Sequence, residues 1–169
     1  SVACVAVPDP SIRAATLEDL EQIGDLGRLA FGGPPRRLTP ETTMQHPGDG
    51  VVAEEGGRLV AVVGVHRFTQ SFAGRELPCG GVSGVVVAPD ARGRGLARAL
   101  LGEVTAGMRA RGEVVSALYP TTASLYRGLG YEVAGWWTRQ AVPVAEMHKP
   151  SDDLTWAPAT AAHPPVTEA

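Results

Sequence analysis

One stretch of the 169-residue chain has residue types and spacing suited to binding a phosphate: Arg92-Gly93-Arg94-Gly95-Leu96-Ala97-Arg98. It directly follows the apolar run Val85-Val86-Val87 and opens a helical pattern. Gly93 and Gly95 lack Cβ, so the backbone reaches positive φ and a ligand can approach it closely. Successive N–H groups in such a turn converge into an anion-binding nest. A helix starting near Leu96 adds its unpaired N-terminal donors and the positive end of its dipole. Arg92 and Arg94 add charge, so the pieces together suit a pyrophosphate. A solvated, glycine-rich basic turn is the plain alternative for an isolated G-x-G.

Two familiar phosphate loops do not fit. A dinucleotide fingerprint needs a third glycine where Arg98 stands, after the first strand of a parallel sheet. A P-loop needs Gly-Lys-Ser/Thr, which does not follow here. What remains is Arg92-x-x-Gly95-x-Ala97.

The elements that must position this turn are legible in outline. Residues 11–31, "SIRAATLEDLEQIGDLGRLAF", read as a short strand and a helix. Thr16 and Asp19 form an acidic variant of the capping box, and Leu17, Leu20, Ile23, Leu29 and Ala30 form an apolar stripe. Pro34, Pro35, Pro40 and Pro47 mark a long loop over 32–50 with room for one short helix. Gly56-Gly57 and a second turn at 71–74 separate three strands, an antiparallel meander ending at Val85–Val87. That last run is apolar at every position, as in a strand covered on both faces. Leu96, Leu100, Leu101, Val104 and Met108 then make a helical stripe that ends at Gly112. "EVVSALY" reads as a further buried strand, "TASLYRGLG" as a short helix, and "YEVAGWWTRQAVPV" as one or two closing strands. The order implies a mixed α/β (α+β) domain and excludes a doubly wound one. Residues 149–169 are rich in Pro, Ala and Thr and read as a linker or tail, as do residues 1–10. An Ala-Thr step shared by "RAATLEDLEQI" and "APATAAHPPVT" is a weak sign of an internal repeat.

Bulk properties narrow the function. A chain with 44% hydrophobic and 20% charged residues suits one globular domain. The formal net charge of −3 argues against a nucleic-acid surface. No apolar stretch reaches membrane-spanning length and no signal peptide is evident, so a cytoplasmic protein without a membrane partner is expected. Ser1 in place of an initiator Met suggests a trimmed start. Cys4 and Cys79 have neither metal-ligand nor C-x-x-C spacing; reduced thiols and no metal are expected, with a disulfide left open.

The Arg92-x-x-Gly95-x-Ala97 pattern, after a strand and opening a long helix, resembles the acetyl-CoA signature of the GCN5-related N-acetyltransferases (GNAT). "ASLYRGLGYEVAG" is similar to that superfamily's second signature, and the element order matches over 11–145. The resemblance implies a mixed sheet with an antiparallel meander, a cofactor-binding strand-turn-helix and flanking helices, over a domain of 11–148. A closer similarity is to the enhanced intracellular survival (Eis) acetyltransferases, in "VVVAPDARGRGLARALL" and "ALYPTTASLYRGLGYEVAG". Eis proteins are longer, with tandem acetyltransferase-like domains and a sterol-carrier-like domain. They form hexamers and acetylate amines of aminoglycosides or lysines. On that resemblance this chain is a first domain, and residues 149–169 lead into a second.

The resemblance also implies roles. Val85, Val86 and Val87 would offer backbone to the pantetheine of acetyl-CoA, the cosubstrate. Backbone N–H groups of Gly93, Arg94, Gly95, Leu96, Ala97 and Arg98, with Arg92 nearby, would take its pyrophosphate. Thr121 and Thr122 would line its reactive end, or serve simply as helix caps. Tyr126 aligns with the proton donor to the departing thiolate; a plain core aromatic is the alternative. Unperturbed pKa values of about 10 and about 8.5 make full proton transfer to that thiolate uphill by roughly 2 kcal/mol. Tyr126 would therefore need a lowered pKa, or act mainly by hydrogen bonding. No acid or histidine lies in "CGGVSGVVV"; His66, Glu54, Glu55 and Glu76 are the nearest candidates for a base, each better read as surface. In Eis-type enzymes the base is the carboxylate ending the full chain. A non-catalytic acyl-CoA-binding or scaffolding module is the competing function.

Overall fold

The structure, a computed structural model, describes residues 9–34, 38–39, 47–136, 138–139, 141–143 and 145. The chain divides into two compact units, Ser1–Glu132 and Val133–Ala169. The first holds a five-stranded sheet in sequence order: β1 (Ser11–Ala14), β2 (Val51–Glu55), β3 (Arg58–Phe72), β4 (Arg75–Val87) and β5 (Val115–Ala117). Neighbours are antiparallel up to β4, and β5 joins β4 in parallel. The helices are α1 (Leu20–Phe31), α2 (Leu96–Ala110) and α3 (Ala123–Arg127). This is the mixed α/β sheet with an antiparallel meander that the turn signals imply.

Seven successive residues of β3, Leu59–Val65, are buried, so both faces of that strand are covered. Both α1 and α2 pack on it. The α2 stripe works as its period predicts: Leu96, Leu100, Leu101, Val104 and Met108 are all buried. Burial of such side chains contributes roughly 1.5–3 kcal/mol each before entropy is subtracted. In α1 the buried pair is Leu20 and Leu26, whereas Leu17 and Leu29 are exposed. The apolar stripe read from sequence there is therefore displaced. At the start of α1 the Asp19 carboxylate accepts the Thr16 N–H at 2.7 Å and a bidentate pair from Arg13. Arg13 foremost holds Asp19 down to about 2, and this pair ties β1 to α1.

Two expectations need correction. Residues 113–119 do not make a buried strand: β5 is three residues long, and Val114 and Tyr119 are exposed. β5 pairs with β4 only at Cys79–Gly81, so its apolar residues have no second strand to cover them among the described residues. The closing strands expected over 131–144 are also absent among the described residues, where Val133 and Val142 are half-exposed and Trp136 is 92% exposed. Among the described residues the alternating pattern there buries no face. Trp137, Cys4 and the residues 149–169 lie outside the described residues. Cys79 is a free, buried thiol, pushed up by that burial and by the charge of Glu113.

The β4–β5 junction admits no side chain at residue 80. A Cβ on Gly80 would lie 2.5 Å from the Met108 sulfur and 2.6 Å from a Glu113 carboxylate oxygen. Met108 is buried, and Arg111 holds Glu113, so neither gives way easily. Gly80→Ala is expected to cost about 1–3 kcal/mol, read as a lower urea midpoint. Combining it with Met108→Ala should cost less than the sum of the two single changes. Strict additivity would show that the contact is not the cause.

Candidate functional site

A cavity of about 740 Å³ opens where β4 and β5 part. The parallel ladder stops at Gly81↔Ala117, while β4 continues to Val87, still paired to β3 through Val86↔Val62 and Val87↔Ala61. Beyond Gly81, then, the β5-side edge of β4 has no strand partner among the described residues. Such an edge presents unpaired N–H and C=O groups to any extended ligand.

A β-bulge separates the two halves of β4. The register passes from Gly64↔Ser83 to Val62↔Val86, leaving Gly84 and Val85 opposite Val63 alone. Gly84 has φ +56, the left-handed conformation that a glycine bulge requires. Bulges increase local twist and bend a strand, which accounts for β4 leaving β5 here. Sequence reasoning passed over Gly84, although an isolated glycine inside an apolar strand is the usual sign of a bulge.

The cavity brings together nearly all the predicted binding residues. Val85, Val86, Val87, Arg92, Gly93, Gly95, Leu96, Ala97, Arg98, Thr121 and Thr122 line it. Val86 is buried, while Val85 and Val87 are half-buried. The run of apolar residues thus belongs to a strand covered on one face by protein and open on the other to the cavity. Gly93 and Gly95 both have φ +77, and a Cβ at either would meet nothing within 4 Å. Their positive φ, and not a packing contact, is what calls for glycine at these two positions. Gly95 caps α2 and accepts the Ala99 N–H at 3.1 Å, so the helix's free N–H groups face the same turn.

The arginines of the turn behave differently from one another. Arg92 makes one long hydrogen bond, 3.4 Å, to the Val87 carbonyl. Arg98 donates to the Gly128 carbonyl at 3.2 Å, joining the first turn of α2 to the end of α3. Arg94 is absent from the cavity wall and forms a bidentate pair with Glu55, at 2.9 and 3.3 Å. Ala30, Phe31, Ala91 and Leu125 also line the cavity. None of these four was predicted. Leu125 follows from the α3 register, whereas Ala30 and Phe31 arrive from a distant helix with no local signal.

Thr122 is the N-cap residue of α3, but its side chain makes no capping hydrogen bond. Tyr126 is 7% exposed and packs edge-on against Tyr131, with ring centroids 6.1 Å apart. It is part of the core and does not line the cavity. Burial pushes its hydroxyl upward from the usual tyrosine value, so it stays protonated at neutral pH. That removes the lowered-pKa route and leaves Tyr126 a neutral hydrogen-bond donor. Its oxygen is not an orphaned buried atom. The neighbouring Tyr131 hydroxyl lies 2.7 Å from Ser116 Oγ, which itself donates to the Gly80 carbonyl; Tyr131 must therefore be the donor of that bond.

Among the described residues, no acid or histidine lines the cavity. Glu54 pairs with Arg13, Glu55 with Arg94, Glu76 is exposed, and His66 stacks on Phe68 at 5.7 Å. No helix among the described residues is long and apolar enough to cross a membrane.

The profile of the acetyltransferase (GNAT) domain matches residues 11–134, most of the chain. The chain belongs to the GNAT acetyltransferase family. Among solved structures, a GCN5-related N-acetyltransferase from Kribbella flavida is 32% identical, with a TM-score of 0.64. This chain is covered over 73% and spans 33% of that protein, about a third of its length. Eis1 from Mycobacterium abscessus is 24% identical (TM-score 0.63), covering 72% of this chain and 31% of its own. Glucosamine-6-phosphate N-acetyltransferase from Arabidopsis thaliana is 17% identical (TM-score 0.61), covering 80% and 100%. These last two share the fold. No curated protein sequence matches the chain. GNAT domains generally use acetyl-CoA.

Proposed function

We propose that the cavity binds acetyl-CoA and that the domain transfers its acetyl group to a primary amine. The observation that carries this reading is the conjunction at one cavity of an unpaired strand edge, Val85–Val87, with the Gly93–Gly95 turn and the start of α2. A long ligand with an extended, amide-bearing arm and a pyrophosphate is served by that pair of features. The edge offers alternating donors and acceptors to the arm, and the turn and helix offer N–H groups to the phosphates. Arg92 and Arg98 lie in the wall to balance charge. The reaction forms a C–N bond and breaks the thioester C–S bond. The sulfur needs a hydrogen-bond donor as charge develops; the resemblance assigns that part to Tyr126, a core residue directly after the lining Leu125, which must turn its hydroxyl toward the cavity to serve.

The acceptor amine, with an unperturbed pKa of about 10.4, must lose a proton before attack. With no acid or histidine among the described residues of the cavity wall, we assign the base elsewhere. The Eis resemblance supplies a source: the terminal carboxylate of a longer parent. On that reading residues 11–148 form the first acetyltransferase domain, and 149–169 lead into a second. The parent is a cytoplasmic hexamer acting on polyamines of the aminoglycoside kind or on lysine amines. The missing base also supports a second reading, an acyl-CoA-binding module without catalysis. Thiol release with several amines separates the two, measured on this chain and on the parent.

The deciding experiment is a calorimetric titration of acetyl-CoA into the 169-residue chain at moderate salt. One-to-one binding in the micromolar range is expected. No heat and no displacement of bound ligand up to millimolar concentration would overturn the assignment of the cavity.

A further inference from the structure

We infer that the β2–β3 hairpin is a clamp that presets the cofactor turn, and that Arg94 is a positioning residue and not a phosphate ligand. The inference rests on the proposed acetyl-CoA site and concerns how its turn is held. Glu55 and Arg58 are cross-strand partners on either side of Gly56-Gly57. Each reaches a residue of opposite charge in the segment that runs into α2. Glu55 takes Arg94, inside the turn, and Arg58 takes Asp90, in the 3-10 turn Pro89–Ala91 before it. The hairpin therefore grips the segment at two points with pairs of opposite polarity. A third contact, Ala88 N–H to the Val60 carbonyl at 2.8 Å, ties the same segment to β3. The far side of the hairpin is held in turn by α1, where Gln22 accepts from Leu59 N–H and donates to the Gly57 carbonyl.

The placement of Arg94 decides its role. Of the seven residues 92–98 it alone is missing from the cavity wall, and both its terminal nitrogens are engaged by one carboxylate. Glu55, with a side chain only 12% exposed, makes this the better sheltered of the two pairs, since Arg58 and Asp90 are both more than half exposed. Arg94 is raised and Asp90 lowered, each chiefly by its hydrogen-bonded partner, as expected of charged groups that are committed to one another. Between the two grips stands Gly93, and Gly95 follows directly; both hold φ +77, a turn with many other accessible conformations when released. Fixing it beforehand spares the ligand the entropy of ordering it.

Glu55→Gln separates this inference from direct contact, because the two readings predict opposite signs. If Arg94 positions the turn, freeing it loosens the turn and weakens acetyl-CoA binding by about three- to tenfold. If Arg94 is held back from the phosphates, freeing it tightens binding or leaves it unchanged, and the inference falls. The measurement is calorimetric, with steady-state kinetics of the longer parent alongside: KM for acetyl-CoA should rise while kcat at saturation stays within twofold. Exchanging the charges, Glu55→Arg with Arg94→Glu, should recover most of the lost affinity; a double variant weaker than either single one would also overturn the clamp. Amide exchange at Ala88, Ala91 and Ala99 in the unliganded chain gives a readout free of the cofactor. Exchange should quicken in Glu55→Gln even if the wild-type chain binds no acetyl-CoA, an outcome that would sink the proposed site but leave the clamp standing. Unchanged exchange would refute the clamp itself.

Discussion

In the longer parent that supplies the base, Tyr126→Phe is expected to bind acetyl-CoA as the wild type does, yet to turn over on the order of a hundredfold more slowly. The ring is buried and meets Tyr131 edge-on, and phenylalanine fills the same space. The core is therefore preserved, and the melting temperature should move by no more than a few degrees. What is lost is one neutral O–H, the proposed hydrogen-bond donor to a sulfur on which charge builds only as the C–S bond breaks. An interaction made only in the transition state lowers kcat and leaves KM for acetyl-CoA alone. Burial raises the hydroxyl above its ordinary value of about 10, so the donor form persists across the whole neutral range. The acceptor amine titrates in the opposite sense, becoming competent as it loses its proton. Wild-type kcat/KM should thus climb between pH 7 and pH 9 with no descending limb from Tyr126 below about pH 10. A falling limb near pH 8 that disappears in Tyr126→Phe would mean that the hydroxyl ionises low, against the burial. Full turnover by the variant would reduce Tyr126 to a core aromatic.

How far the sequence could carry this site depended on whether each signal was local. The stripe from Leu96 to Met108 was legible because a single helix repeats it every third or fourth residue, and the structure buries all five members. The Gly93–Gly95 turn was legible because a strand, two glycines and a helix adjoin one another in the chain. "EVVSALY" misled because apolar content records hydrophobicity and not position in the sheet; β5 has only the short pairing with Cys79–Gly81. The closing strands failed for a related reason, since Trp136 and its described neighbours alternate in type but are exposed whichever face they would take. The bulge at Gly84 was available to local reading and was passed over. Phe31 in the cavity wall and the Glu55–Arg94 pair were not available at all. Glu55 and Arg94 are 39 residues apart, and nothing in either neighbourhood names the other. Sequence therefore credited Arg94 to the phosphate, whereas the fold commits it to a carboxylate.

Gly95→Asp should weaken acetyl-CoA binding by on the order of a hundredfold to a thousandfold, the largest effect expected at the turn. Two separable costs contribute. Gly95 sits at φ +77, where a residue with a Cβ is strained by roughly 1–2 kcal/mol. The turn can relax to relieve that strain only by leaving the geometry that presents its N–H groups, so the ligand must restore it on binding. The second cost is electrostatic: a carboxylate about 6 Å from a phosphate, at an effective dielectric near 20, is repelled by roughly 3 kcal/mol before salt screening. Together these reach about 4 kcal/mol, and each 1.4 kcal/mol is a factor of ten. Packing does not enter, because nothing lies within 4 Å of a Cβ at Gly95. The far-UV spectrum should accordingly change little, and the urea midpoint should fall by no more than the backbone strain accounts for. Gly95→Ala isolates the first cost and should weaken binding by about tenfold, independent of ionic strength. The further loss in Gly95→Asp should shrink as salt rises, since it arises from charge. Equal losses for alanine and aspartate at low salt would mean that no phosphate approaches the turn. The start of α2 would then be a glycine-capped helix end and nothing more, and the cavity would have to hold a ligand without a pyrophosphate.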